Sequence, residues 1–313
     1  MPSVAQIVEV GARDGLQNEP ELIATGDKLG LIVRMVDAGV RRIEVASFVN
    51  PKRVPQMGDG DDVIAGLPDR RDVSYIGLCL NKRGVLRAIE SREGGRRGVD
   101  EAGCVLVASD SFGQRNQGQT IAEGVAENRA MLRLARENGL VAQVTISAAF
   151  GCPFEGAVPP ERVVGLAEAM AEAGAEEIAL ADTIGVGVPA QVSELFGRVR
   201  EAVPGVRLRA HFHDTRGTGI ANAWAALGAG ATVLDSSLGG LGGCPFAPGA
   251  TGNIATEDLV YLLDRSGVAS GVSLDAAIAT NRWFEGVIGK TLPSRVARAG
   301  GFLTQTSASR ACL

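Results

Sequence analysis

His211 and His213 are the only two histidines in the chain, and they stand one residue apart in HFHDTRG. They close a strand-like run, VRLRAHFH. Side chains two apart on a strand point to the same face, so both imidazoles can reach one point. That pattern suits a metal. Two imidazoles, a carboxylate from the end of the first strand and an amide oxygen from Asn253 make a mixed nitrogen–oxygen donor set. With water or substrate in the open positions it becomes roughly octahedral. Mg²⁺ or Mn²⁺ fits oxygen-rich ligation, and imidazole widens the choice to Zn, Co or Fe. The competing reading is a pair of histidines packed or hydrogen-bonded in a barrel mouth.

The same stretch continues through TVLDSSL into LGGLGGCPF, a glycine-rich loop around Cys244, and closes at Asn253 in ATGNIATEDL. A free cysteine is usually a small buried apolar residue. Between glycines and a proline, Cys244 is not in a core setting. Glycines let a backbone approach a ligand closely, and a thiol carried on such a loop can act as general acid or base. A nucleophilic role lacks a third histidine to activate it. Cys79, Cys104 and Cys152 read as structural, and Cys312 as an unpaired thiol near the C-terminus. Arg13 and Asp14 follow the first strand. A guanidinium is not a ligand, so Arg13 is free to hold an oxyanion or to pair with Glu44, which would orient it. Asp182 accepts hydrogen bonds from a substrate or caps the turn into GVGVP.

These residues need elements to position them. Short aliphatic runs at 4–10, 41–47, 72–78, 104–109, 140–147, 176–182, 206–213 and 232–237 read as strands. Each is followed by a helical pattern, the first with Leu29, Ile32, Val33 and Val36 on one face. Pro159 and Pro160 open one of these helices and Pro189 another, as proline in a first turn does. Strand–helix alternation argues for a parallel sheet, and eight units match a closed TIM (β/α)₈ barrel. An open dinucleotide-binding sheet would carry G-x-G-x-x-G after its first strand, and GARDGL does not match. Further helices at 255–265, 274–289 and 293–299 are expected to pack on one end of the barrel. One catalytic domain over 1–300 is expected, with 301–313 as a flexible tail.

The chain is 45% hydrophobic with a net charge of −5. That argues against nucleic acid as a partner, and the clusters at 41–42, 70–71 and 92–97 are too local to change it. The cysteines form no CxxC pair, which fits a reducing compartment. No signal-peptide pattern, no run long enough for a bilayer and no Ser-Lys-Leu ending is seen. The expectation is a cytoplasmic protein with no membrane partner.

VEVGARDGLQNEP, IEVASFVNPKRVPQMGD, ADTIGVGVP, HFHDTRG and SSLGGLGGCPF followed by GATGNIATEDLVYLL strongly resemble the 3-hydroxy-3-methylglutaryl-CoA lyase family. The resemblance spans roughly 1–300 and extends to the wider DRE-TIM metallolyase group. It implies Asp14, His211, His213 and Asn253 as metal ligands. It places Arg13, Cys244 and His211 among the catalytic residues, and Arg13, Gln17, Glu44 and Asp182 at the substrate. Lys290, in GKTLPSR, corresponds to a basic position near the CoA region. The implied reaction is a retro-Claisen cleavage of 3-hydroxy-3-methylglutaryl-CoA to acetyl-CoA and acetoacetate. A divalent metal, Mg or Mn first and Zn or Co next, lowers the pKa of the substrate hydroxyl. Arg13 holds the thioester oxygen and Cys244 exchanges a proton. A homodimer or higher homo-oligomer is implied too.

The chain departs from the family at Arg216, in the segment ASDSFGQRNQG and in the apparent insertion REGGRRG at 92–98. Arg216 and the Gln114–Gly118 segment are therefore expected to admit a different 3-hydroxyacyl-CoA, bulkier at C3. An α-keto-acid aldolase or condensing enzyme of the same group is an alternative that would not need the cysteine loop. A non-catalytic metal-binding barrel is a third.

Overall fold

The structure, a computed structural model, describes residues 1–243 and 252–302. Eight strands close into a barrel in sequence order: β1 (Gln6–Glu9), β2 (Arg42–Ser47), β3 (Ser74–Cys79), β4 (Glu101–Val107), β5 (Val141–Ser147), β6 (Glu177–Asp182), β7 (Arg207–Phe212) and β8 (Val233–Ser236). Every pairing is parallel, and β1 meets β8 from Gln6↔Val233 to Glu9↔Ser236. The expected (β/α)₈ barrel is therefore what the chain forms.

Helices α1 (Thr25–Asp37), α2 (Gly60–Ala65), α3 (Lys82–Glu90), α4 (Asp110–Asn116), α5 (Ile121–Glu137), α6 (Pro160–Glu172), α7 (Pro189–Ala202), α8 (Gly219–Gly228) and α9 (Thr256–Arg265) follow the strands. Parallel strands covered by helices are buried on both sides and run rich in Val, Ile and Leu, as β2 and β6 do throughout. The main core lies between strands and helices, with α1 contributing Leu31, Ile32, Met35 and Val36. Val33, expected on that face, is 38% exposed, so the buried stripe is rotated toward Leu31 and Met35. A separate apolar cluster of Val8, Val10, Ile76 and Val233 is distinct from the main core. Glu9 follows Val8 on β1 and faces the opposite side by strand alternation.

Two elements differ from the sequence reading. β4 begins at Glu101, not Cys104, with Gly103 inside the strand and paired with Leu78. Helix α4 was not expected. It is a short helix capped by Ser109, whose hydroxyl accepts from the Phe112 amide at 3.2 Å. Beyond α9 come α10 (Leu274–Ile288) and α11 (Arg295–Ala299). α10 lies against α1, where Arg34 stacks 4.0 Å over the Trp283 ring, and also meets α9, α11 and the turn after β8 at Leu238–Gly240. Residues 303–313 of the expected tail, including Cys312, lie outside the described residues.

Below the site, the barrel interior is held by ions. Arg42 donates to both oxygens of Glu101 at 2.9 and 2.6 Å, and to both oxygens of Glu177 at 2.9 and 3.0 Å. Breaking one side of such a buried set costs about 3–5 kcal/mol because it strands a charge.

Candidate active site

A cavity of about 670 Å³ opens among the strand ends, where such barrels carry their reactive groups. Arg13, Asp14, Gln17, Glu44, His211 and His213 all line it.

Arg13 and Asp14 are set by a single wide helical turn, Gly11–Gly15, at the end of β1. The amides of Arg13 and Gly15 both return to the Val10 carbonyl, at 3.2 and 3.1 Å. The Arg13 fork is split between two carboxylates. Nη1 donates to Asp14 Oδ1 at 2.7 Å and Nη2 to Glu44 Oε2 at 2.6 Å. The expected Arg13–Glu44 pair is thus formed. Gln17 Oε1 lies 3.5 Å from Arg13 Nη1.

Donor atoms of Asp14, His211 and His213 lie within 4.8 Å of one another. The two imidazole rings are 5.2 Å apart. Asn253 joins them through a bridge to His213 and by donating from Nδ2 to Asp14 Oδ2 at 2.8 Å. Among the described residues its Oδ1 is buried and unpartnered, as is His213 Nδ1. Buried polar atoms are rarely left without partners, so two such atoms beside a carboxylate and a second imidazole fit a cation. His211 Nδ1 lies 3.1 Å from Asp235 Oδ2, which leaves Nε2 as its ligand atom. Among the described residues this is the one cluster of this kind.

The electrostatics agree. Burial pushes the Asp14 carboxyl up, but Arg13, the two histidines and the Asn253 amide outweigh it and hold it well below the usual carboxylate range. Burial, then His211, push His213 down to about 4, leaving the neutral imidazole that ligation needs. Burial opposes charge on His211 as well, but Asp235 raises it above the ordinary value.

The neck of the cysteine loop rests on this cluster. Gly242 has φ 130°, and a Cβ there would lie 2.9 Å from Asn253 Nδ2. A Cβ on Gly252 would meet Gly240 O at 2.6 Å and Gly242 N at 2.7 Å. Only glycines allow this closure. Gly243 lines the cavity and its carbonyl accepts from Asn18 Nδ2 at 2.8 Å. Cys244, the next residue, lies outside the described residues.

The match to known proteins follows the same residues. A family model described as HMGL-like matches residues 4–283. The chain belongs to the HMGL-like family. It is 43% identical over 304 residues to the (R)-citramalyl-CoA lyase of Chloroflexus aurantiacus, covering 94% of each chain. It is 41% identical over 299 residues to the 3-hydroxy-3-isohexenylglutaryl-CoA/hydroxymethylglutaryl-CoA lyase of Pseudomonas aeruginosa, covering 96% of this chain and 98% of that one. The crystal structure of hydroxymethylglutaryl-CoA lyase from Pseudomonas aeruginosa superposes with a TM-score of 0.90 at 41% identity, over 96% of this chain and 98% of that chain. The chain is accordingly a lyase of this family.

Other expected residues fall elsewhere. Asp182 is fully buried and outside the cavity lining, its oxygens accepting from the Val186 amide at 2.9 Å and the Gly187 amide at 2.8 Å. The turn-capping alternative is the one its geometry realises. Lys290 is half-exposed and donates to Glu19 Oε2 at 2.6 Å, and Glu19 lines the rim. Arg216 does not line the cavity, which corrects its expected substrate role. Its Nη1 donates to the carbonyls of Ile184 and Gly185 at 3.0 and 2.9 Å, bracing the loop after β6. Asn116 and Gln117 of the expected segment do line the cavity. Cys79, Cys104 and Cys152 are buried free thiols, and burial pushes Cys104 up to about 12.

Sequence reading missed Asp235, Arg209 and Gln143, all buried and all lining the cavity. A signal was present. VRLRAHFH places Arg207, Arg209, His211 and His213 in one two-residue phase, so the face that carries the histidines also carries the arginines.

Proposed function

We propose that the chain is a divalent-metal-dependent lyase that cleaves 3-hydroxy-3-methylglutaryl-CoA to acetyl-CoA and acetoacetate. The observation that carries this reading is the convergence of Asp14, His211 and His213 within 4.8 Å, in one cavity with the clamped Arg13 guanidinium. Asp14, His211, His213 and the Asn253 amide oxygen would hold the cation. Bound there, it supplies Lewis-acid polarisation that makes a tertiary hydroxyl easier to deprotonate.

The chain's own residues do the rest. Arg13, its fork fixed by Asp14 and Glu44, faces the thioester oxygen as that oxygen gains charge when the carbon–carbon bond breaks. Held from two sides, it needs little reorganisation at that moment. Gln17 helps place the acyl group beside it. The net proton movement is from the substrate hydroxyl to the enolate carbon, and Cys244 is the group that carries it. Glu19, Lys290 and the exposed Arg53 stand toward the mouth, where the CoA portion would enter.

A second reading is a lyase of the same family with a different acyl group. The names of the Chloroflexus and Pseudomonas relatives already span citramalyl-CoA, isohexenylglutaryl-CoA and hydroxymethylglutaryl-CoA. Incubation with 3-hydroxy-3-methylglutaryl-CoA, Mg²⁺ or Mn²⁺ and a reductant, with mass detection of products, tests the first reading. Equal amounts of acetyl-CoA and acetoacetate are expected. No acetyl-CoA from protein that binds metal would reject this substrate.

A further inference from the structure

The inward side chains of a (β/α)₈ barrel ordinarily pack solid. Here the cavity continues down past the histidines, between β4, β5 and β7, where Gly103, Gln143, Thr145 and Arg209 line it. Gly103 lines it without a side chain, and a larger residue there would press on Ile76, which an added Cβ would meet at 3.3 Å, and project into the cavity. Gln143 and Arg209 stand two residues earlier on their strands than Thr145 and His211. At a rise of about 3.3 Å per residue along strands tilted by about 36°, they lie about 5 Å deeper, within reach of a substituent a few carbons long.

The walls of this shaft are polar but their charge is already balanced. Arg209 pairs with Glu177 at 3.3 Å and with Asp235 at 3.4 Å. Its Nη2 donates to Thr145 Oγ1 at 3.2 Å, leaving the Thr145 hydroxyl proton free to be donated. Gln143 is fully buried, and its amide nitrogen donates to Glu101 Oε2 at 2.8 Å. Among the described residues its Oε1 has no hydrogen-bond partner, whereas Arg209 Nε is the atom that faces Glu177 Oε1. Among the described residues the shaft thus offers one unused acceptor, Gln143 Oε1, and above it one unused donor, the Thr145 hydroxyl, with its charges paired.

We propose that this shaft is a specificity subsite for the substituent on the hydroxyl-bearing carbon, and that the preferred substrate is a 3-hydroxyacyl-CoA whose substituent there is several carbons long and ends in a hydroxyl. A hydroxyl both accepts, from Thr145, and donates, to Gln143. A carboxylate would bring a charge that Glu177 and Asp235 have already neutralised on Arg209. A plain alkyl chain would leave the polar atoms without partners, which a buried site strongly penalises. The proposal rests on the lyase reading and replaces Arg216 as the source of altered selectivity.

The test is acetyl-CoA release from four glutaryl-CoA thioesters whose 3-hydroxy carbon bears methyl, butyl, hydroxybutyl or carboxypropyl. The hydroxybutyl compound is expected to show the highest kcat/KM, about tenfold or more above each of the others. Highest kcat/KM for methyl, butyl or carboxypropyl overturns the proposal while leaving the lyase reading intact. Release from none of the four overturns both. Thr145→Val, nearly the same size, is expected to reduce the hydroxybutyl-to-butyl ratio about tenfold, and an unchanged ratio would contradict the subsite. Gly103→Val fills the shaft, so the hydroxybutyl-to-methyl ratio is expected to fall at least about tenfold. If that variant does not fold, the Thr145→Val ratio decides.

Discussion

His211 Nδ1 lies 3.1 Å from Asp235 Oδ2, and Asp235 is in turn tied to Arg209 at 3.4 Å. The imidazole is therefore held in one orientation, with Nε2 directed away from Asp235. A carboxylate behind a ligating histidine fixes its tautomer and strengthens it as a donor, and loss of such a partner typically costs about 10–100-fold in metal affinity. Asp235→Asn keeps the size and removes the charge. A fall of that order in Mn²⁺ affinity is expected, measured by the free-ion signal in electron paramagnetic resonance titration. Unchanged affinity would mean that Asp235 serves only the ion network below.

Arg13 gives a sharper test of the catalytic reading. Its two arms reach Asp14 and Glu44 at once, which a single ammonium cannot reproduce. Arg13→Lys is expected to lower kcat by about 10²–10³-fold, the usual cost of removing a preorganised donor from a developing oxyanion. Circular dichroism and Mn²⁺ binding in the same preparation separate this from misfolding. A lysine variant with full kcat would remove Arg13 from the mechanism.

Stability should depend on pH through the reverse face of β1. Glu9 is 1% exposed. Its Oε1 accepts from the amides of Gly11 and Leu238, both at 2.8 Å, and its Oε2 from the Thr256 hydroxyl at 2.6 Å. Burial pushes its carboxyl from 4.5 up to about 7, with those hydrogen bonds offsetting only part of the effect. Between those values the folded chain keeps a proton that the unfolded chain has released. The contribution is complete below pH 4.5 and is lost as pH rises to about 7. It amounts to about 3 kcal/mol. Glu257, raised by burial to about 8, acts in the same direction. Glu9→Gln is expected to become steadily more stable relative to the parent across that range in urea melts. Parallel curves would show that Glu9 titrates normally.

Much of this was legible in the sequence. Eight strand–helix units are enough to specify the barrel, because each β-branched run and each helical stripe points the same way. The HFH pair, GARDG and the GNIATEDL segment were legible because residue type and strand-end position coincide. Gly103 misled because a glycine inside a strand looks like a connector until its partner Leu78 is known. Arg216 misled because a long side chain can turn away from a cavity to brace carbonyls, here those of Ile184 and Gly185. Asp235 lay in plain view within TVLDSS. An acidic residue in a buried strand needs a partner, and the identity of that partner, His211, is a fact of barrel closure rather than of local sequence.

The central claim is that a cation held by Asp14, His211, His213 and Asn253 works together with Cys244 to break a carbon–carbon bond. The most direct measurement is acetyl-CoA formation from 3-hydroxy-3-methylglutaryl-CoA by chelator-stripped and Mn²⁺-reconstituted protein, parent beside Cys244→Ala. No release is expected from stripped protein, with release restored by Mn²⁺ and a loss of at least about 10²-fold in the variant with metal still bound. Release that survives stripping, or a Cys244→Ala variant as fast as the parent, would contradict the claim.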